Sequence, residues 1–173
     1  MILKNICYSF IGLIYISLSW ALMIDLGNPG IIKNNEGYYD SSSTLSMIPL
    51  LIILSMWIND TMAYIVGSLI GKTPFSKISP KKTLEGTIGG IILCITFVTL
   101  FFQPLLYWKH LLAISSICAI MGTAGDLLES KLKRMADVKD SGHIMPGHGG
   151  FLDRFDSLLL ATPFVWIYLR LFT

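Results

Sequence analysis

Residues 111–135 read LLAISSICAIMGTAGDLLESKLKRM. An apolar run to Ala124 passes into the charged stretch Gly125–Arg134 with no proline between them. The spacing predicts one helix, apolar where it crosses a bilayer and polar where it emerges. On that helix Asp126, Glu129, Ser130 and Lys133 share a face at i, i+3, i+4 and i+7, and Leu128, Leu132 and Met135 share another. Asp126 then stands at the membrane edge, turned towards a polar cavity. An acid at that depth is unfavourable without a task or a partner, and Lys133 is the partner in reach.

Composition extends the membrane reading to the whole chain. Of 173 residues, 53% are hydrophobic and only 14% are charged, with mean hydropathy +0.65. A soluble domain carries about a quarter charged residues. The net charge of +2 is too small to imply nucleic acid. Cys7, Cys94 and Cys118 lie in apolar runs without metal-ligand spacing, which predicts core or lipid-facing residues.

Four other spans are expected. The first covers Ile6–Ile24, too long for a signal-peptide core and without a clear cleavage site, and is read as a retained helix. The others run from about Leu45 to Ile70, Thr87 to Leu106 and Leu158 to Phe172, with Tyr107 and Trp108 as an interfacial belt and a short turn near Lys109. The expected fold is all-α, a polytopic integral membrane protein of about five transmembrane helices forming a single membrane domain over 1–173. With the N-terminus inside, ten Lys and Arg fall inside (Lys4, Lys72, Lys77, Lys81, Lys82, Lys131, Lys133, Arg134, Lys139, Arg154) and three outside (Lys33, Lys109, Arg170). That bias places both polar loops, and the site, towards the cytoplasm.

The segment Asp126–Asp156 holds six of the eleven acidic residues. Asp153 and Asp156 share one helical face at the start of the last span. Converging carboxylates repel each other unless a cation sits between them. Hard oxygen ligands suit Mg²⁺, which commonly takes one or two carboxylates plus substrate phosphates. Capping of the last helix by Asp153 is the plainer alternative. The stretch 139–150 carries four glycines and a proline, so its backbone N–H groups can approach phosphates. Lys133, Arg134 and Lys139 add positive charge for a triphosphate. His143 and His148 lack accompanying thiolates and do not suit zinc; His148 is read as a phosphate donor or a loop residue. The loop 76–86, with Lys77, Lys81 and Lys82, suits a phosphate or an anionic lipid surface. Asn59-Asp60, inside the second span, is a third polar cluster; a helix–helix hydrogen bond through Asn59 is its plain reading.

These residues resemble the CdsA-type phosphatidate cytidylyltransferases (CDP-diacylglycerol synthases). The resemblance rests on Ser130, Lys133-Arg134, Lys139-Asp140, Gly142, Pro146-Gly147-His148-Gly149-Gly150, Asp153-Arg154 and Asp156. Asn59-Asp60, Ala63-Tyr64, Gly67, Gly71-Lys72 and 76–86 look like the family's second block, so the resemblance covers about 45–173. The chain is shorter than is usual there, with the missing part expected before the motif blocks. The resemblance implies cytidylyl transfer from CTP to phosphatidate, giving CDP-diacylglycerol and pyrophosphate for phospholipid synthesis. It implies Mg²⁺ on Asp126 and Asp153, a potassium ion nearby, and a homodimer in the plasma (inner) membrane. It points to Asp126, Lys133, Arg134, Lys139, Asp140, His148, Asp153 and Asp156 as catalytic. Asp60, Ser79, Lys81, Lys82, Ser130, Gly149 and Gly150 would bind substrate. A CTP-dependent polyprenol or dolichol kinase and an inactive membrane scaffold are the rival readings. No internal repeat suggests a transporter.

Overall fold

The computed structural model describes residues 2–28, 47–76, 78–79, 82–103, 105–138, 141–142, 150 and 152–172, with only the backbone of 2–5, 7, 8 and 154. They form five helices: α1 (Ile2–Leu26), α2 (Ile48–Ile70), α3 (Leu84–Phe101), α4 (Trp108–Met135) and α5 (Leu152–Phe172). All five are long and apolar enough to cross a membrane. The expected all-α, five-helix architecture is what the described residues adopt.

The continuous helix read from residues 111–135 is α4, and it is longer than the bilayer requires. Its 28 residues span about 42 Å at about 1.5 Å per residue, against a hydrocarbon core of about 30 Å. The C-terminal two turns therefore project. Leu128, Leu132 and Met135 face outward and Glu129 is buried, as the two-faced reading requires. A Schellman turn stops the helix. Val138 N–H donates to Lys133 O at 3.0 Å and Asp137 N–H to Arg134 O at 3.2 Å, with Asp137 left-handed at φ 55°.

Several boundaries differ from the hydropathy reading, among them both ends of α3 and the start of α5. α3 spans Leu84–Phe101 rather than 87–106. It starts earlier because Thr83 caps it, its hydroxyl accepting from Gly86 N–H at 3.2 Å. It ends at Phe101, before Pro104, because the residue preceding a proline disfavours the helix. The connection to α4 therefore lies at 102–107, and Lys109 is already helical. α5 begins at Leu152, six residues before the apolar run, with Asp153 in its first turn.

α2 packs mainly on α3, and α4 on α5. The core includes Leu51, Ile52, Val98, Leu111, Ile114, Leu159 and Val165, together with Cys94 and Cys118. α1 lies against α5, and Pro163 inside α5 explains one of its anchors. A proline at 163 cannot donate to Leu159 O, so that carbonyl loses its helical partner. Ser19 of α1 supplies one instead, Oγ to Leu159 O at 2.6 Å. In lipid, such replacement partners are what make a mid-span proline tolerable.

Candidate functional site

The C-terminal ends of α2 and α4 meet the N-terminal ends of α3 and α5 at one end of the bundle. There they enclose a cavity of about 530 Å³. Four carboxylates line it: Asp60 from α2, Asp126 from α4, and Asp153 and Asp156 from α5. Lys82 is its basic lining residue among those described, and Ser79, Tyr64 and Ser157 add hydroxyls.

Local geometry explains each placement. Gly125 brings α4 onto α5: a Cβ there would lie 2.7 Å from Asp156 O and 3.1 Å from Leu160 Cβ. This close crossing sets Asp126 beside the start of α5. Lys82 is carried over the cavity by a short paired segment, in which Phe75 N–H donates to Lys82 O at 2.7 Å and Leu84 N–H to Thr73 O at 2.9 Å. Glu85, in the first turn of α3, anchors the same segment by accepting from Thr73 Oγ1 at 2.8 Å and from the Lys72 and Thr73 amides at 3.2 Å. The Lys82 ammonium pairs with Asp126. Burial pulls the Lys82 pKa below the ordinary lysine range, although Asp60 and Asp156 oppose the shift.

Asp153 is held from three sides. Its Oδ1 takes Lys133 Nζ at 2.6 Å; its Oδ2 takes the amides of Gly150 at 2.7 Å and Ser141 at 2.9 Å. The Gly150 bond reaches back three residues, as in the reciprocal half of a capping box, so Asp153 does stabilise the helix start. Gly150 packs tightly here, since a Cβ would lie 2.2 Å from Ser141 Oγ. Burial alone would raise the Asp153 carboxyl; Lys133 and the two amides more than reverse this and hold it well below the usual carboxylate range. Asp156 Oδ1 accepts from Ser157 N–H at 2.6 Å and Ser157 Oγ at 3.2 Å.

The predicted residues separate into three groups. Asp60, Ser79, Lys82, Asp126, Asp153 and Asp156 converge on the cavity, and Lys133 and Gly150 join through Asp153. Arg134 is exposed and donates to Val138 O at 3.4 Å, and Ser130 is not a lining residue of the cavity. Lys81, Lys139, Asp140, His148 and Gly149 lie outside the described residues, as does the side chain of Arg154. Glu129 is the addition. Read from sequence only as one member of the polar face, it is 7% exposed with Lys133 Nζ 3.3 Å from Oε1. Asn59 does bridge helices, Nδ2 to Thr123 Oγ1 at 3.4 Å, while its Oδ1 is buried without a hydrogen-bond partner among the described residues.

The donor set fits a hard divalent cation. Four carboxylates face one lysine in the cavity, leaving an excess of negative charge, and the unpartnered Asn59 Oδ1 is a further hard oxygen. Among the described residues no three acidic, histidine or cysteine side chains form a ready-made cage.

The sequence profile of the cytidylyltransferase family matches residues 3–172. The chain is 47% identical over 122 residues to the phosphatidate cytidylyltransferase of Bacillus subtilis, covering 68% of this chain and 45% of that protein. It is 50% identical over 121 residues to the Staphylococcus haemolyticus protein of the same name (67% of this chain, 46% of the other). It is 41% identical over 121 residues to that of Aquifex aeolicus (68% and 45%). The chain thus spans about half the length of the curated relatives it matches. With a family match running through all five helices and the acidic cavity at their shared end, this chain belongs to the cytidylyltransferase family.

Proposed function

We propose that this protein transfers the cytidylyl group of CTP to phosphatidate, giving CDP-diacylglycerol and pyrophosphate. The observation that carries the reading is the convergence of Asp60, Asp126, Asp153 and Asp156 with Lys82 on one cavity at a membrane edge. Relatives bearing the phosphatidate cytidylyltransferase name support it.

In this reaction an oxygen of the lipid phosphate bonds to the α-phosphorus of CTP. The bond from that phosphorus to the oxygen bridging towards the β-phosphorus breaks, and pyrophosphate leaves with the electron pair. The protein's share is positioning and neutralisation of charge. Asp126 and Asp153 would hold Mg²⁺, which would supply positive charge to offset that of the nucleotide phosphates. Lys82, which lines the polar cavity, would exchange its partner Asp126 for phosphate oxygens. Lys133 keeps Asp153 ionised and oriented. Ser79 and Ser157 offer hydroxyls to the phosphates. Lys139, Arg134 and His148 belong to the same proposal as cations or donors for the leaving pyrophosphate. So do a potassium ion, a homodimer and a site open to the cytoplasm at the plasma membrane.

The test is direct. Purified protein in lipid vesicles is incubated with phosphatidate, labelled CTP and Mg²⁺. A labelled CDP-lipid is the expected product. Label recovered only in nucleotides, with intact helical protein, would overturn the proposal.

A further inference from the structure

Both aspartates assigned to the ion are already held by a lysine. Lys82 pairs with Asp126, and Lys133 Nζ lies 2.6 Å from Asp153 Oδ1. A divalent ion and an ammonium repel each other strongly on one carboxylate oxygen. Each lysine therefore needs another partner when the ion arrives. Lys82 lines the polar cavity, so substrate phosphate can take it. Lys133 lines neither that cavity nor the neighbouring one beside Ile53 and Phe155. Its side chain is also mostly buried, so water offers little. Its new partner has to come from the protein.

Asp153 has little capacity to spare. Its Oδ2 already accepts from the Gly150 amide at 2.7 Å and the Ser141 amide at 2.9 Å. That leaves Oδ1 as the oxygen for an ion, and Oδ1 is the one that Lys133 occupies. One turn back on the same helix face, Glu129 is buried. Neither of its carboxylate oxygens accepts a hydrogen bond among the described residues. Lys133 Nζ is 3.3 Å from Oε1, a charge contact at i, i+4. A shift of the ammonium by about 0.5 Å would turn that contact into a charge-assisted hydrogen bond of ordinary length. A carboxylate kept from water gains much from such a bond. The resting arrangement leaves this capacity unused, and a displaced Lys133 would fill it.

We propose that Glu129 is a positioning residue that receives the Lys133 ammonium when a divalent ion takes Asp153 Oδ1. This rests on the ion assigned to Asp126 and Asp153 within the cytidylyl-transfer reading, and it deepens that reading. Before the ion binds, Lys133 neutralises Asp153 and keeps the two carboxylates from repelling each other. Once it binds, the ion takes over at Asp153 and Lys133 neutralises Glu129 instead. Glu129 touches neither substrate nor ion. It acts through Lys133, by making Asp153 easy to vacate.

Mn²⁺ binding to the full chain in vesicles, followed by electron paramagnetic resonance with CTP present, tests this. Glu129→Gln leaves Lys133 with Asp153 as its one paired carboxylate among the described residues. The dissociation constant for Mn²⁺ should then rise about tenfold or more. In a Lys133→Gln background the competing cation is gone, and adding Glu129→Gln should change the constant by less than about twofold. Lys133→Met provides the same comparison with no donor at that position. Equal weakening in both backgrounds, or unchanged affinity in Glu129→Gln alone, would overturn the proposal. CDP-lipid formation is measured in parallel. If the binding pattern appears but the wild-type chain makes no CDP-lipid, the Glu129 assignment holds and the cytidylyl-transfer reading fails. If product forms and the pattern is absent, the reverse is true.

Discussion

The two ends of the helix bundle both carry charge, and they use it differently. At the cavity end, the side chains of Lys133, Glu129 and Asp153 are 17%, 8% and 12% exposed. At the opposite end, Asp25 of α1 accepts from Trp166 Nε1 at 2.7 Å and pairs with Arg170 at 3.2 Å, with both ionic side chains more than a third exposed. Arg170 also lies over the Trp166 ring, 5.2 Å from its centroid. Charge held out of water is either paired, waiting for a ligand, or ruinous to the fold. Charge left at the rim anchors a helix at an interface and contributes little else. The buried carboxylates make the first end the candidate site, and the rim pair docks α1 at the second.

The largest expected break is Asp126→Asn. It keeps the shape and removes a charge from the proposed ion site. CDP-lipid formation should fall by about a thousandfold or more, while membrane insertion and helicity are unchanged. Activity near wild type would remove Asp126 from the site.

Next in size is Lys133→Met. It strands Glu129 and Asp153 as buried carboxylates without their shared cation, which should destabilise the chain by about 3 kcal/mol in detergent unfolding. The double variant Lys133→Met with Glu129→Gln should recover part of that loss, because one stranded charge is gone. Equal stability of the single and double variants would show that Glu129 is not paired through Lys133.

How far these contrasts were legible in the sequence depends on the kind of signal. The unbroken passage of α4 from apolar to charged was plain, because periodicity and absence of proline both survive in one dimension. So were Asp126, Asp153 and Asp60, since an acid in or beside a span has few quiet explanations. Glu129 was seen on the correct helix face, yet its burial depends on α5 crossing at Gly125, which spacing within one helix cannot reveal. The end of α3 was misplaced because 102–108 is almost as apolar as the span before it. The start of α5 was misplaced for the opposite reason: its first turn is charged, and Asp153 and its amide partners set it rather than hydropathy. The role of Ser19 depended on Pro163, 144 positions away.

Smaller effects belong to the docking of α1. Ser19→Ala leaves the Leu159 carbonyl without its substitute donor, costing about 1 kcal/mol in thermal unfolding, with activity within about twofold. A larger loss of activity than of stability would tie α1 to the chemistry. Smallest of all is Arg170→Ala, which should barely move the Tm and leave turnover unchanged. A clear loss of either would mean that the rim pair does more than anchor α1.

The central claim is that α4 and α5 present Asp126 and Asp153 to one divalent ion. Mn²⁺ binding, followed by electron paramagnetic resonance on wild type, Asp126→Asn and Asp153→Asn in the presence of CTP, tests it most directly. Each variant alone should lose the same tightly bound ion that wild type holds. If either variant retains that ion with unchanged affinity, the two aspartates do not share it.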